Sequence, residues 1–231
     1  HSNCIITVTD NASNTSGNLS VRSFTIGAIT PALAEVTPVP TPDNDTTPSY
    51  TFFSTLPGTI SYGGDCRDNN TPTAVADNNT ITFNALADGT YSNCKISVDN
   101  NSNTSDNLSV SSFTIDITAP TLSSVTIASN NSVSTLAKTG NIITLSITSA
   151  EAIQTPIVLI AGQAATETGD NMTWSAAYTM ASGDSDNVSV SLNIRFSDLA
   201  GNAGIAIDNT TNESAVRFDR TAPTPDNVTI A

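Results

Sequence analysis

Carboxylates dominate the residues of this chain that could do chemistry. Asp and Glu number 21 against 7 Lys and Arg, and the formal net charge is −14. Oxygen donors in that excess suit a hard divalent cation or a soluble extracellular surface. They do not suit nucleic acid, whose recognition calls for basic patches. Nucleophilic and acid–base chemistry have little to work with. His1 is the single imidazole, so a histidine-based triad has no support. Cys4, Cys66 and Cys94 are separated by 62 and 28 residues, which fits no zinc pattern. Neither a phosphate-binding loop nor a nucleophile elbow is present. No pair of carboxylates is marked out for acid–base work, and the expectation is a protein that is not an enzyme.

The elements that would position these groups come from an internal recurrence. Residues 1–26 read HSNCIITVTDNASNTSGNLSVRSFTI, and residues 91–115 read YSNCKISVDNNSNTSDNLSVSSFTI. One residue of slack after Thr9 aligns Cys4 with Cys94, Asn14 with Asn103, and Phe24 and Ile26 with Phe113 and Ile115. His1 then stands where the later copy has the strand residue Tyr91. A period of about 90 residues marks a tandem array of small all-β domains. The two segments are expected to adopt the same hairpin.

Alternation with a period of two runs through the chain. Examples are Cys94, Ile96 and Val98; Ile143, Leu145 and Ile147; Met172 to Met180; and Val188 to Phe196. Each run has one dry and one wet face, as in a sheet packed on one core. Turn signals such as Pro57-Gly58 and Ala200-Gly201-Asn202 punctuate them, and no stretch carries a helical period. Hydrophobic residues make up 38% and aromatics 5%, so the cores are lean. In NLSVSSFTI, Leu108 and Val110 share one phase while Phe113 and Ile115 share the other. That flip predicts a β-bulge or a change of sheet.

FTIDITAPT at 113–121 and RFDRTAPT at 217–224 both place D-x-T-A-P-T after a phenylalanine. Each is expected to end one last strand and open the next domain through a proline-stiffened junction. At the earlier junction the phrase decays to FTIGAITPA, with Gly27 in place of Asp116. The predicted organisation has residues 1–26 as the last strand pair of a truncated repeat. Residues 27–115 and 116–218 are two sandwiches of different subtype, and 219–231 begin a further repeat. These linkers, with the S-D-L-A-G-N loop from Ser197 to Asn202, resemble bacterial immunoglobulin-like repeats of large surface adhesins. The first complete repeat departs from that pattern, with Asp99 to Asn103 reading DNNSN. The resemblance implies a rod-like array of stacked immunoglobulin-like β-sandwiches at the cell surface, with no catalytic activity. It also implies that some junctions are stiffened by calcium.

Two sets of residues follow. Cys66 and Cys94 fall in one repeat and are expected to pair in an exported protein. Closing that loop stabilises by about 3–4 kcal/mol in the chain-entropy model. Cys4, the counterpart of Cys94, is left unpaired. Three free thiols in a reducing compartment are the alternative. In a seven-stranded sandwich, the loop before the last strand shares a pole with the domain's entry. Asp198 and Asn202 are therefore expected to face Asp116 and Thr118, with Glu151 on a third loop at the same pole. Three converging carboxylates repel one another unless a cation, here Ca²⁺, joins them. The alternative is that Asp198 and Asn202 only build their turn. At the preceding junction Gly27 and Leu56 replace Asp116 and Glu151, which predicts weak metal binding or none.

The chain is thus expected to be a spacer of a large extracellular or cell-surface adhesin. The runner-up readings are a self-assembling filament or surface layer completed by strand exchange, and a glycan- or protein-binding module. Partners are neighbouring repeats or identical chains, with any glycan or cell-surface ligand bound elsewhere in the parent protein. No apolar run approaches membrane-spanning length, so no membrane insertion by this segment is expected.

Overall fold

The computed structural model describes residues 3–24, 27, 29–66, 71–101 and 103–224. Every element among them is a β-strand or an isolated bridge. Among the described residues no helix is long and apolar enough to cross a membrane. Two compact units are present: residues 1–38, 49–82 and 93–110 form one, and residues 39–48, 83–92 and 111–231 form the other. These units group residues by proximity and cut the chain elsewhere than the recurrence does at 27, 116 and 219. His1, Ile26 and the tail from 225 lie outside the described residues.

In the first unit, Ser49–Ser54 is flanked by Leu33–Thr37 and Asn78–Thr82, all antiparallel. A second sheet runs from Asn103–Thr104 through Lys95–Asn100 and Gly58–Gly63 to Thr73–Ala74. Alternation decides the faces: Tyr50, Phe52, Ile60, Ile81, Ile96 and Val98 are all buried. The disulfide joins Cys66 to Cys94, with their Cα atoms 4.9 Å apart, so this expected pair is present. Cys4 is a free, half-buried thiol.

The N-terminal hairpin repeats the strand pairing of the later one. Ile5–Ile6 pairs with Leu19–Ser20 in the register Ile5 to Ser20 and Ile6 to Leu19. Lys95 pairs with Ser109, and Ile96 with Leu108. Val21 N donates to Cys4 O, as Val110 N does to Cys94 O. Val8 N donates to the Ser16 hydroxyl, and Val98 N to that of Ser105, both at 3.0 Å. The covering differs. Ile6 and Val8 are 52% and 68% exposed, whereas Ile96 and Val98 are fully buried. The expected phase flip is a change of sheet. Leu108–Ser109 pairs with Lys95–Asn100, and Phe113–Ile115 then pairs with Gly89–Tyr91 in a separate sheet.

In the second unit, Phe113 stacks between Phe83 and Tyr91 at centroid distances of 6.1 and 5.3 Å. Beyond the linker, one sheet orders Leu122–Ser129, Ile142–Ser149, Thr173–Thr179 and Thr166–Asp170. Short sheets of Gln163–Ala164, Ile157–Ile160 and Leu192–Arg195, and of Leu136–Ala137, Arg217–Phe218 and Val188–Ser189, complete it. Their inward residues, among them Ile143, Leu145, Trp174, Val158 and Ile194, form one buried cluster. The run from Val188 to Phe196 is divided between two of these sheets, which leaves Val188 45% exposed while Ile194 is buried.

Candidate metal centre

Asp198 follows the strand Leu192–Arg195, in a turn closed by the Ser197–Ala203 bridge. Its N–H donates to Asn202 O at 3.1 Å, and Gly201 N–H donates back to Asp198 O at 3.3 Å. Gly201 has φ +98°, a left-handed conformation that glycine adopts without strain. The Asp198 carboxylate is 1% exposed and accepts Asn202 N–H on Oδ1 and Asn202 Nδ2–H on Oδ2, both at 2.8 Å. The same Asn202 amide donates to the main-chain O of Asp116 at 2.7 Å.

Asp116 immediately follows the strand Phe113–Ile115. Its N–H donates to Asp43 O at 2.9 Å, and its Oδ1 accepts Thr118 N–H at 3.0 Å. Glu151 lies just past Ile142–Ser149, where the Ser149 hydroxyl donates to the Glu151 carbonyl. Ile153 bridges to Asp198 two residues later. The elements thus bring Asp116, Glu151 and Asp198 together, with one carboxylate oxygen of each within 4.8 Å of the others. Burial pushes the Glu151 carboxyl above its ordinary value, and the charges of Asp116 and Asp198 add to the shift.

This donor set fits a hard cation. Calcium binds oxygens at about 2.3–2.6 Å, so two donors on one ion stand at most about 5 Å apart, as these do. Asp198 also builds its turn, and the two roles are compatible because each carboxylate oxygen has more than one lone pair. Asn202, expected among the ligands, directs its amide nitrogen at Asp198 and Asp116 and braces them to each other.

No family model matches the chain, and no curated protein matches its sequence. Among solved structures, the fibronectin(III)-like modules of Clostridium thermocellum CbhA align with 85% of this chain and 100% of theirs. The identity is 11% and the TM-score 0.39, a likeness that carries no argument.

The preceding junction has the same framework without the carboxylates. The Ser54 hydroxyl donates to Leu56 O at 2.7 Å, as Ser149 does to Glu151. Thr55 N–H donates to Ala32 O, as Ala150 N–H does to Thr121 O. Leu56 therefore occupies the place of Glu151, and Gly27 offers no side chain.

Two features were not read from the sequence. The first is a clamp on each linker. Asp88 Oδ2 accepts Ile117 N–H and the Thr118 hydroxyl at 3.3 and 3.0 Å. Asp186 accepts Arg220 N–H and the Thr221 hydroxyl at 2.8 and 2.7 Å, contacts that hold its carboxyl below the ordinary range. The signal was an aspartate far upstream of each D-x-T, at no fixed spacing. The second is the loop Asp10–Asn14. Asp10 N–H donates to Asn14 O and Ser13 N–H to Asp10 O, both at 3.0 Å. Asp10 accepts Asn14 N–H at 2.8 Å and Asn14 Nδ2–H at 3.0 Å. This is the Asp198–Asn202 turn again, with Ser13 at φ +68° in the place of Gly201. The pattern D-x-A-x-N was present, but serine at the glycine position hid it.

Proposed function

We propose that this chain is a non-catalytic spacer segment of a large repetitive extracellular protein, built of repeats at 27–115 and 116–218. The observation that carries the reading is the linker Asp116–Thr121, whose first three residues are held from two sides. Asp88 grips Ile117 and Thr118 from the strand side, and Asn202 holds the Asp116 carbonyl at the mouth of the following sandwich. A chain whose polar residues are engaged in fixing a junction suits a part that transmits position. The Cys66–Cys94 disulfide is consistent with an oxidising, extracellular setting. Trp174, the single tryptophan, is buried in the core and offers no stacking surface to a glycan.

Calcium belongs to this proposal. Asp116, Glu151 and Asp198 would hold it, and it would supply the positive charge that lets three carboxylates face one point. Extracellular calcium modules bind at about 10⁻⁴–10⁻³ M, so the site would fill outside cells and empty within them. X-ray scattering in calcium and in chelator tests this. The maximum dimension should change on chelation in the wild type and be insensitive to it in Asp198→Ala. An unchanged wild-type dimension refutes the calcium joint.

A further inference from the structure

We propose that Asn93 is a positioning residue for the Cys66–Cys94 disulfide. It pins the Gly64–Asp65 corner, so that the two thiols stand within bonding reach before any bond joins them. The proposal goes beyond the spacer reading and depends on neither calcium nor neighbouring repeats.

The strand register creates the need for such a corner. Gly63 pairs with Lys95 in an antiparallel ladder, so an uninterrupted strand would set residue 64 opposite Cys94. The cysteine comes two residues later, at 66. Gly64 and Asp65 form a turn there, with Gly64 at φ +74°, a left-handed conformation that suits glycine. The turn takes up the extra length and brings the Cys66 Cα to 4.9 Å from the Cys94 Cα.

Asn93, next to Cys94 in the chain, is what the corner rests on. Its Oδ1 accepts Asp65 N–H at 2.7 Å. A Cβ added at Gly64 would collide with the Asn93 main-chain O and lie 2.6 Å from its Oδ1, so glycine is what lets the two segments approach this closely. Cys94 and the far end of the loop are held by bonds that involve no sulfur. Val110 N–H donates to Cys94 O at 3.0 Å. Beyond Cys66, the Tyr62 hydroxyl donates to Thr71 O and Ile60 N–H to Pro72 O, both at 2.9 Å. Opening the disulfide removes none of these bonds directly, so the reduced protein keeps Cys66 beside Cys94.

The bond closes by exchange with a small disulfide such as oxidised glutathione. The thiolate of one cysteine attacks the donor, releases one glutathione thiolate and leaves a mixed disulfide. The second cysteine, as thiolate, attacks the protein sulfur of that mixed disulfide and displaces the other glutathione. Two protein thiols lose two electrons and two protons, and the donor takes them up as two thiols. A pinned corner raises the effective concentration of the second thiol, which favours closure over a lasting mixed disulfide. Without Asn93 the reduced corner gains freedom that closure must take away again, and the disulfide becomes easier to reduce.

Equilibration of the 231-residue chain with reduced and oxidised glutathione, followed by acid quenching and thiol labelling, tests the proposal. Both cysteines are buried and exchange waits on local opening, so the equilibrium is approached from both directions. Peptide mapping separates the pair from Cys4. Asn93→Ala should make the disulfide about fivefold easier to reduce, as expected for one lost amide–carbonyl bond, or about 20 mV for a two-electron couple. Gly64→Ala should move the potential in the same direction and at least as far. A substitution that loosened both redox forms alike would not move it. In the reduced wild type the Asp65 amide should exchange with solvent as slowly as in the oxidised protein, a measurement that decides the matter even if a variant fails to fold. A potential indifferent to either substitution, or an Asp65 amide that loses its protection on reduction, would overturn the proposal.

Discussion

Burial and the charges of Asp116 and Asp198 place the Glu151 carboxyl above its ordinary value of 4.5. In that direction the folded state holds a proton that the unfolded chain has already released. Stability therefore falls as pH rises from the unfolded value through the folded one. In chelator, the melting temperature of the wild type should drop across this window relative to Glu151→Gln, which cannot lose a proton. Added calcium should reverse the sign, because the ion favours the ionised form. Melting curves from pH 4 upward in the two conditions check this; parallel curves for wild type and variant would contradict it. At this scale the sequence was informative where residue type and pole coincide. Asp116, Glu151 and Asp198 could be named because loops at one end of a sandwich must meet. Asp88 and Asp186 could not, because their partners are main-chain N–H groups and hydroxyls of the linkers, and such contacts leave no pattern in side-chain spacing.

Strands were legible wherever one face is dry, since alternation then has a single solution. Cys94, Ile96 and Val98 show this, each at most 1% exposed. The run from Val188 to Phe196 is as regular in sequence, yet it serves two sheets, because alternation reports a buried face and not which neighbour supplies the ladder. Glycine was harder to read. Gly58 opens the strand Gly58–Gly63 beside Pro57 and looks like turn punctuation, but its position is set by packing. A Cβ added there would lie 2.3 Å from Asp99 O and 2.7 Å from Val98 Cγ1, and neither main chain nor buried side chain can give way. Gly58→Ala should push Gly58–Gly63 off Lys95–Asn100 and destabilise the first unit by about 1–3 kcal/mol. Chemical denaturation should show that loss, and hydrogen exchange should show faster exchange at Ile60 and Val98 than in the Ile142–Ser149 strand. Uniform protection in both places would mean that the sheet absorbs the methyl group.

At the scale of the whole molecule, the recurrence of residues 1–26 at 91–115 was legible because both segments keep their register-setting residues. Ser16 and Ser105 make the same bond in both. The grouping of 39–48, 83–92 and 111–115 with the following residues was not, because proximity across a linker has no periodicity to reveal it. If the chain is the spacer proposed above, pulling on its ends is answered with length as well as stiffness, and the Cys66–Cys94 disulfide then has a mechanical consequence. The chain between those cysteines, 28 residues apart, is closed off from tension and cannot pay out when the proposed 27–115 repeat gives way. At about 3.3–3.6 Å per extended residue, the withheld length is roughly 95 Å. Single-molecule pulling should therefore show one rupture, that of the proposed 27–115 repeat, whose extension grows by about that amount in reductant, while the rupture of the proposed 116–218 repeat keeps its length. An oxidised chain would behave as a tether with a shorter stroke, so the redox state of its surroundings would set how far it yields before it breaks.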